Sequence, residues 1–464
     1  MLTDQFKGKK VLILGLGLNE GGVGSARFFA KHGASVKVTD LKTRDALKSS
    51  LEKLAEFPEI EYILGEHRYE DIDWADIIIR NPALRKDNEY RVYAEKSGKT
   101  VETDVGIFLQ FVKPEQMIGV TGTKGKSTTA SLIYWALQQG KDSGEIINRE
   151  SSEINEARMT KEGVILAGNI GKSVLDLLDV ITSETRVVLE LSSFQLEAFE
   201  KHHLSPHIAV ITNILPDHLN YYSSMDEYSE AKKVIGLYQK PNDLLIIQKD
   251  DSMVDTPAFL EGIKSKLIKF SKDDLPEEFE PTLLGDHNLN NYAAALAVVN
   301  QLIPQGETLQ GLTLEAMKRF QGADFRLQLT GKFRGIRIYN DSAATMPEAT
   351  IRALETIKSP ILIVGGMDKG LPYDKLAHEI DRKAKAVYFI DGTATEKLRP
   401  MLQHRNIIRS IYTDFESLLK DLKLEAREGD TILFSPAATS FNFFQNEFDR
   451  GTKFNEAVNR IFKE

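Results

Sequence analysis

Cysteine is absent from all 464 residues, which removes disulfides, thiol catalysis and thiolate metal sites together. An excess of positive charge is also lacking: 59 Lys and Arg stand against 68 Asp and Glu, a net charge of −9. Nucleic acid or an anionic membrane surface is therefore not the expected partner. No stretch approaches the ~20 consecutive apolar residues of a membrane span. The opening "MLTDQFKGKKVLILGLGLNEGG" has the outline of a leader, yet its apolar run breaks at Asn19-Glu20 with no small-residue cleavage site after it. It reads as a first buried strand, and we expect a soluble cytoplasmic chain with no membrane insertion. Low-complexity tracts and internal repeats are missing too.

What is present is the pattern of an α/β protein, long enough for about three domains of ~100–200 residues. Apolar, β-branched runs such as "KKVLILGLG", "SVKVTD", "EYILG" and "ADIIIRNP" alternate with amphipathic stretches such as "GSARFFAKHG". Continuous runs of this kind predict parallel sheets covered on both faces. The pattern breaks at Pro114 and resumes with "QMIGV", "RVVLELS", "IAVITNI" and "DLLIIQ", joined by the helix "KSTTASLIYWALQQG" and, later, "NLNNYAAALAVVNQLI". From "GADFRLQL" a third set follows: "IRIYNDS", "PILIVGG", "AVYFIDG" and "DTILFSP". Three successive α/β units are expected.

"IGVTGTKGKSTTASLI" joins a predicted strand to a predicted helix. Gly125, Lys126 and Ser127 end it as a phosphate loop ends, but the first glycine of the usual pattern is displaced: five residues before Gly125 stands Val120. Gly122 and Gly125 let backbone N–H groups face an anion at a helix N-terminus, Lys126 adds a mobile charge, and Ser127 can ligate Mg²⁺. "GLGLNEGGVG" fits either a ligand loop or a tight strand–helix turn, with Asp40 ending the next strand where a carboxylate commonly meets sugar or base donors. Glu190 ends "VVLELS", and a carboxylate on a buried strand needs a cation or a donor. Asp217 and His218 follow another strand, and strand C-termini gather on the ligand edge of a parallel sheet, so Glu190 and His218 could meet one Mg²⁺. His218 is otherwise an ordinary loop histidine and Lys232 an ordinary helix lysine. Asn288 and Asn291 suit an adenine edge, or a helix cap in the case of Asn288. Asp341, Lys369 and Ser440 sit at strand ends in the third set, suited to a small anionic substrate or to turn chemistry.

Taken in order, these stretches resemble the Mur ligases, the ATP-dependent amide ligases that build the peptidoglycan stem peptide. "GVTGTKGKSTT" is that family's form of the phosphate loop. "GNIG" (168–171), "ELSSFQLE" (190–197), "DH" (217–218), "EAKK" (230–233), "GDHNLNN" (285–291), "FR" (325–326), "NDSAAT" (340–345), "GGMDKG" (365–370) and "SPAATSF" (435–441) extend the resemblance along nearly the whole chain. "LSSFQLE", "SPAATSF" and the length are nearest the D-glutamate-adding branch.

The resemblance implies a Rossmann-like UDP-sugar-binding domain at 1–112, a central P-loop ATPase-like domain with a parallel sheet at 113–325, and a Rossmann-like amino-acid-binding domain at 326–464. It implies UDP-N-acetylmuramoyl-L-alanine and D-glutamate as substrates, ATP, two Mg²⁺ ions, and a monomer. Gly122, Thr123, Lys124, Gly125, Lys126, Ser127 and Thr128 would hold the ATP phosphates, and Asn288, Asn291, Arg326 and Asp341 the rest of the nucleotide. Ser127, Glu190, His218 and Lys232 would ligate metal, the lysine as the carbamate found in relatives; Lys126, His218 and Lys232 would carry the catalysis. Leu18, Asn19 and Asp40 would contact the uridine diphosphate, with Asn169, Ser192 and Gln195 nearer the sugar and peptide. Thr345, Lys369 and Ser440 would take the incoming amino acid.

The sequence departs from the family at four places. "GLGLNEGGVG" is longer than the usual first loop, and "RNPAL" (80–84) stands where Ser-Pro-Gly is common. Ala343 replaces a frequent lysine, and Glu447 an aromatic residue that commonly packs against glutamate. Competing readings are a ligase for L-glutamate or another amino acid, folylpolyglutamate synthase, a nicotinamide-dependent dehydrogenase built on the first glycine loop, and a non-catalytic ATP-binding protein.

Overall fold

A computed structural model describes residues 5–18, 20–139, 163–170, 173–218, 221–283, 285–302, 307–368, 370–440, 443–444 and 446–463. Asn19 and Lys369 lie outside these residues. The described chain forms three sheets. The first comprises β1 (Lys10–Leu14), β2 (Ser35–Asp40), β3 (Glu61–Leu64), β4 (Ile77–Arg80) and β5 (Thr100–Glu102), all parallel in the order β3-β2-β1-β4-β5. The second comprises β6 (Met117–Thr121), β7 (Val164–Gly168), β8 (Arg186–Glu190), β9 (Ile208–Ile211), β10 (Leu244–Gln248) and β11 (Lys266–Phe270), again parallel, in the order β11-β10-β9-β6-β8-β7.

The third contains β12 (Gln328–Phe333), β13 (Ile336–Asn340), β14 (Ile361–Gly365), β15 (Ala386–Ile390), β16 (Ile408–Tyr412) and β17 (Thr431–Phe434), ordered β12-β13-β17-β14-β15-β16. Only β12 runs antiparallel to its neighbour. By contact density the chain divides into two compact units, Met1–Glu277 with Leu289–Met317, and Glu278–Asn288 with Lys318–Glu464.

The central strands are those whose sequence is apolar throughout. Every residue of β6, β14 and β15 is buried, as a strand covered by helices on both faces requires. Five strands without a sequence expectation, β5, β7, β11, β12 and β16, are all sheet edges. Edge strands have one open side, so polar residues interrupt them: β11 reads "KLIKF" and β16 "IRSIY".

The first helix also differs from expectation. It begins at Glu20 and takes in Gly21, Gly22 and Gly24, although these glycines suggested a loop. A glycine inside a helix costs about 1 kcal/mol relative to alanine. Here close packing requires two of them, because a Cβ on Gly22 would strike the Leu16 carbonyl and one on Gly24 would strike Ser173.

That close approach lets the helix Glu20–Lys31 dock on the 3₁₀ stretch Val174–Val180 of the same unit. Arg27 pairs with Asp176 at 2.8 Å, Lys31 with Asp179 at 2.5 Å, and His32 Nε2 lies 3.1 Å from Asp179. A second tie joins Arg80 and Arg91 to Glu197 at 2.7 and 2.5 Å. Burial pushes the Glu197 carboxyl upward, but the two guanidinium groups outweigh it and hold the group ionised below its usual range. Thus "RNPAL" contributes its arginine to packing between the first two sheets.

Candidate functional site

The phosphate loop spans Gly122–Gly125, between β6 and the helix Lys126–Gln139. Gly122 has φ +144° and Gly125 φ +85°, a region that side chains rarely adopt. A Cβ on Gly122 would collide with Thr212 Oγ1 and one on Gly125 with Asn291 Oδ1. The loop is laced to the segment after β9. Thr123 N donates to the Asn213 carbonyl at 2.8 Å, Lys124 N to Asn213 Oδ1 at 2.9 Å, and Thr212 Oγ1 to the Lys124 carbonyl at 2.6 Å. Leu215 N donates to Thr123 Oγ1 at 2.9 Å. The cradle is therefore rigid without a ligand and faces the positive end of a helix. Lys126 curls over it, its Nζ donating to the Gly122 and Thr123 carbonyls at 3.0 Å each, while Ser127 is buried and Thr128 half-buried in the first turn.

Behind the loop stand three groups that the sequence only allows to meet. Glu190, at the end of β8, is 1% exposed. Its Oε1 accepts from Asn169 Nδ2 at 3.1 Å, and its Oε2 is buried with no hydrogen-bond partner among the described residues. A buried carboxylate oxygen left this way favours a cation.

Lys232, on the helix Met225–Leu237, is likewise 1% exposed; its Nζ donates to the Gly122 carbonyl at 2.9 Å and lies 4.7 Å from the Tyr228 ring centre. No carboxylate among the described residues pairs with it. Burial, reinforced by the Lys126 charge, pulls its pKa down to about 6, so the amine is neutral at physiological pH.

His218 adopts φ +54° after β9. Burial lowers its pKa; the charges of Lys232, Lys126 and Lys124 lower it further, while Asp217, itself 3.3 Å from Lys124, opposes them. Lys124 and Lys126 thus place two positive charges beside the loop, as a polyphosphate site requires, while the neutral Lys232 lies buried behind them.

Among the described residues no three His, Cys, Asp or Glu side chains cluster closely enough to hold a metal by themselves. The unpartnered Glu190 oxygen nevertheless suits a hard cation such as Mg²⁺, which prefers oxygen ligands.

The substrate residues expected in the first two sheets are placed as follows. Leu18 is half-exposed in the loop after β1, and Asp40 ends β2 with Oδ2 accepting from Gly17 N and Oδ1 from Lys42 N, both at 2.8 Å. Asp40 therefore shapes the glycine loop whatever else it contacts. Asn169 follows β7. Ser192 and Gln195 form a capping box on the helix Ser193–His202, Gln195 N donating to Ser192 Oγ at 3.3 Å and Ser192 N to Gln195 Oε1 at 3.0 Å. Asn291 is buried beside Gly125, where its Oδ1 accepts from Thr129 Oγ1 at 3.3 Å.

In the second unit, Asp341 is buried at the end of β13. Its Oδ2 accepts from Ser435 Oγ at 2.7 Å and its Oδ1 from Leu327 N at 3.1 Å. Burial pushes it up to about 7 despite these bonds. Asn288 is buried in the first turn of the helix Asp286–Leu302, Arg326 is exposed and Thr345 half-buried. Ser440 is 1% exposed and its hydroxyl has no hydrogen-bond partner. Glu447 is half-buried in the first turn of the helix Glu447–Phe462, where its carbonyl accepts from Ser342 Oγ at 2.7 Å.

Two further residues stand out that sequence reasoning passed over. Tyr228 lies one turn before Lys232 and places its hydroxyl 3.2 Å from Thr123 Oγ1, joining lysine and phosphate loop. Arg450 is buried on the apolar face of its helix with Phe454, Val458 and Ile461. Both signals were in the spacing: an i, i+4 pair, and an arginine on a hydrophobic stripe.

Comparison with known proteins gives three family domains in sequence order. The model described as Mur ligase MurD-like, N-terminal domain matches residues 9–102; Mur ligase middle domain matches 120–280; and Mur ligase, glutamate ligase domain matches 325–438. Curated relatives named UDP-N-acetylmuramoylalanine--D-glutamate ligase include that of Roseiflexus sp., 37% identical over 98% of this chain and 99% of its own. Those of Borreliella afzelii, 33% identical over 99% of this chain and all of its own, and of Treponema pallidum, 32% identical over 98% of each, are similar as well.

Among solved structures, MurF ligase from Thermotoga maritima in complex with ADP is similar with a TM-score of 0.52 at 17% identity, covering 99% of this chain and 96% of its own. MurF from Acinetobacter baumannii gives 0.53 at 14%, covering 98% and 93%; both speak to the fold alone. Identity above 30% from end to end, over three family domains in the same order, establishes that the chain belongs to the Mur ligase family.

Proposed function

We infer that this chain is an ATP-dependent ligase that adds D-glutamate to UDP-N-acetylmuramoyl-L-alanine, through an acyl phosphate, in peptidoglycan precursor synthesis. The observation that carries the reading is the full-length likeness to curated D-glutamate ligases. Residues 1–112 bind the UDP-sugar, 113–325 bind ATP and 326–464 bind the amino acid. Leu18, Asn19 and Asp40 would contact the uridine diphosphate, with Asn169, Ser192 and Gln195 nearer the sugar and peptide. Thr345, Lys369 and Ser440 take the amino acid, and Asn288, Asn291, Arg326 and Asp341 the nucleoside. The enzyme acts as a cytoplasmic monomer; no described helix is long and apolar enough to cross a membrane.

In the reaction, a carboxylate oxygen of the substrate attacks the γ-phosphorus of ATP and ADP leaves. The amine of glutamate then attacks the acyl carbon, phosphate leaves with the attacking oxygen, and the nitrogen loses its proton as the amide forms. Two anions must approach in the first step. Backbone N–H groups of Gly122–Ser127 and the Lys126 ammonium offset that repulsion, and Thr128 lines the same turn. Two Mg²⁺ ions, held by Ser127, Glu190, His218 and Lys232, would neutralise further phosphate charge.

Lys232 joins this set as a carbamate: its neutral amine attacks CO₂, loses a proton and becomes a long-armed carboxylate. Burial without an anionic partner, which keeps the amine unprotonated, supports this modification. His218, neutral by the same desolvation, remains able to ligate and to accept a proton.

Phosphate release from ATP with UDP-N-acetylmuramoyl-L-alanine tests the reading, comparing D-glutamate, L-glutamate and no amino acid. Release dependent on D-glutamate is expected. Release dependent on another amino acid would keep the ligase and move its specificity to the side of Glu447 and Ala343. No stimulation by any amino acid would sink it.

A further inference from the structure

Arg450 is among the largest fully buried side chains, at 1% exposure. Its Nε donates to Ser342 Oγ at 3.0 Å, its Nη2 to the Ser342 carbonyl at 2.8 Å and its Nη1 to the Ala438 carbonyl at 3.0 Å. A Cβ on Gly366 would come within 3.6 Å of Nη1. One guanidinium thus underlies three loops, those after β13, β14 and β17. All its hydrogen bonds go to neutral oxygens, and no carboxylate among the described residues pairs with it. Glu447 and Asp341 act on it only through space. Burial draws its pKa down to about 10, so it remains charged at neutral pH. A buried charge whose partner is missing keeps an uncompensated field that an anion would relieve. Two residues beyond Ala438, the buried Ser440 hydroxyl has no hydrogen-bond partner among the described residues.

We propose that Arg450 is the positioning residue of the amino-acid subsite: it fixes the loops of Ser342, Gly366 and Ala438, and its uncompensated charge draws a carboxylate of the incoming amino acid to the Ser440 hydroxyl. This rests on the ligase reading for the identity of the amino acid, not for the presence of an anion site. It also gives Glu447 a place. Its carboxylate lies one helical turn before Arg450 and moderates the field instead of simply repelling a dianionic substrate.

The test compares Arg450→Met, Arg450→Lys and Ser440→Ala with the wild-type chain. Losing the charge and the loop support it gives should cost roughly 30-fold, about 2 kcal/mol at 1.4 kcal/mol per tenfold. Arg450→Met is expected to raise the KM for D-glutamate by about that factor, with the KM for ATP and for the UDP-substrate within about threefold. Arg450→Lys should recover part of the loss, and Ser440→Ala should raise the same KM by roughly tenfold. An equal rise in all three KM values, or an unchanged KM for D-glutamate, would overturn the proposal.

If Arg450→Met fails to fold by circular dichroism, the other two variants decide on the same criteria. Glutarate, which has both carboxylates and no amine, should raise the melting temperature of the wild type more than that of Arg450→Lys or Ser440→Ala at the same concentration. Equal protection of all three overturns the proposal even if the wild type proves to use no D-glutamate, an outcome that counts separately against the ligase reading.

Discussion

Each of the two compact units buries a basic side chain that no carboxylate among the described residues pairs with: Lys232 behind the phosphate loop, and Arg450 beneath the loops of the third sheet. Desolvation acts on both in the same direction, but the chemistry of the side chain decides the result. The amine begins at 10.5 and falls to about 6, so it sheds its proton and becomes a nucleophile. The guanidinium begins far higher and falls only to about 10, so it stays charged. A buried lysine can therefore be converted into a ligand for a cation, whereas a buried arginine waits for an anion. On the proposed readings the two sites would take opposite charges from the same starting point.

Exchanging the cations is the strongest way to break this comparison. Lys232→Arg should lose activity by roughly a thousandfold, because guanidinium neither deprotonates nor forms a carbamate. Isotope-labelled bicarbonate should give a carbamate resonance with the wild type and none with this variant. Arg450→Lys, by contrast, keeps partial function. Equal tolerance of both exchanges would contradict the distinction.

Asp341 sharpens the comparison from the acidic side. Burial raises it to about 7, whereas an unfolded chain titrates near 3.9, so the folded state binds the proton more tightly. Its contribution is complete below about pH 4 and is lost as pH rises through about 7, in total roughly 4 kcal/mol. Asp341→Asn should remove this slope from the melting temperature measured without nucleotide between those pH values. An unchanged slope would place the cause elsewhere.

Smaller effects should follow at the loop and between the first two sheets. Gly125→Ala meets both an unfavourable φ and the Asn291 side chain, and should weaken ADP binding by roughly 10- to 100-fold, read by titration calorimetry. Arg27→Ala removes a pair that water partly reaches, with side-chain exposures of 27% and 14%. It should cost less than about 1 kcal/mol in denaturant unfolding and leave nucleotide binding unchanged. A larger loss would mean that partly exposed charges here behave like the buried ones.

The strands at the centre of each sheet were legible because burial on both faces leaves only apolar residues. The edges β11, β12 and β16 were not, since a strand paired on one side alone admits polar residues; β7 (VILAG) was missed despite an apolar run, and the three-residue β5 was too short to signal. The glycines at 21, 22 and 24 misled because a helix contact and a loop can call for the same residue, and the contact, with Ser173, is distant in sequence. Glu190 and His218 could be placed at strand ends from sequence, but not the unpartnered oxygen of Glu190. Lys232 carried no chemical signal by itself: its shift arises from burial and from Lys126, both products of folding. Arg450 was passed over, although its place on the stripe with Phe454, Val458 and Ile461 is a pattern that could have marked a buried charge.

The central claim is that the substrate carboxylate is activated by phosphorylation. Heavy oxygen placed in the carboxylate of UDP-N-acetylmuramoyl-L-alanine follows that oxygen directly. With D-glutamate and ATP present, mass spectrometry of the released phosphate should show a single heavy oxygen, carried over from the carboxylate when the amine displaces the acyl phosphate. Amide formation accompanied by unlabelled phosphate would contradict the account, because the carboxylate oxygen would never have been bonded to phosphorus.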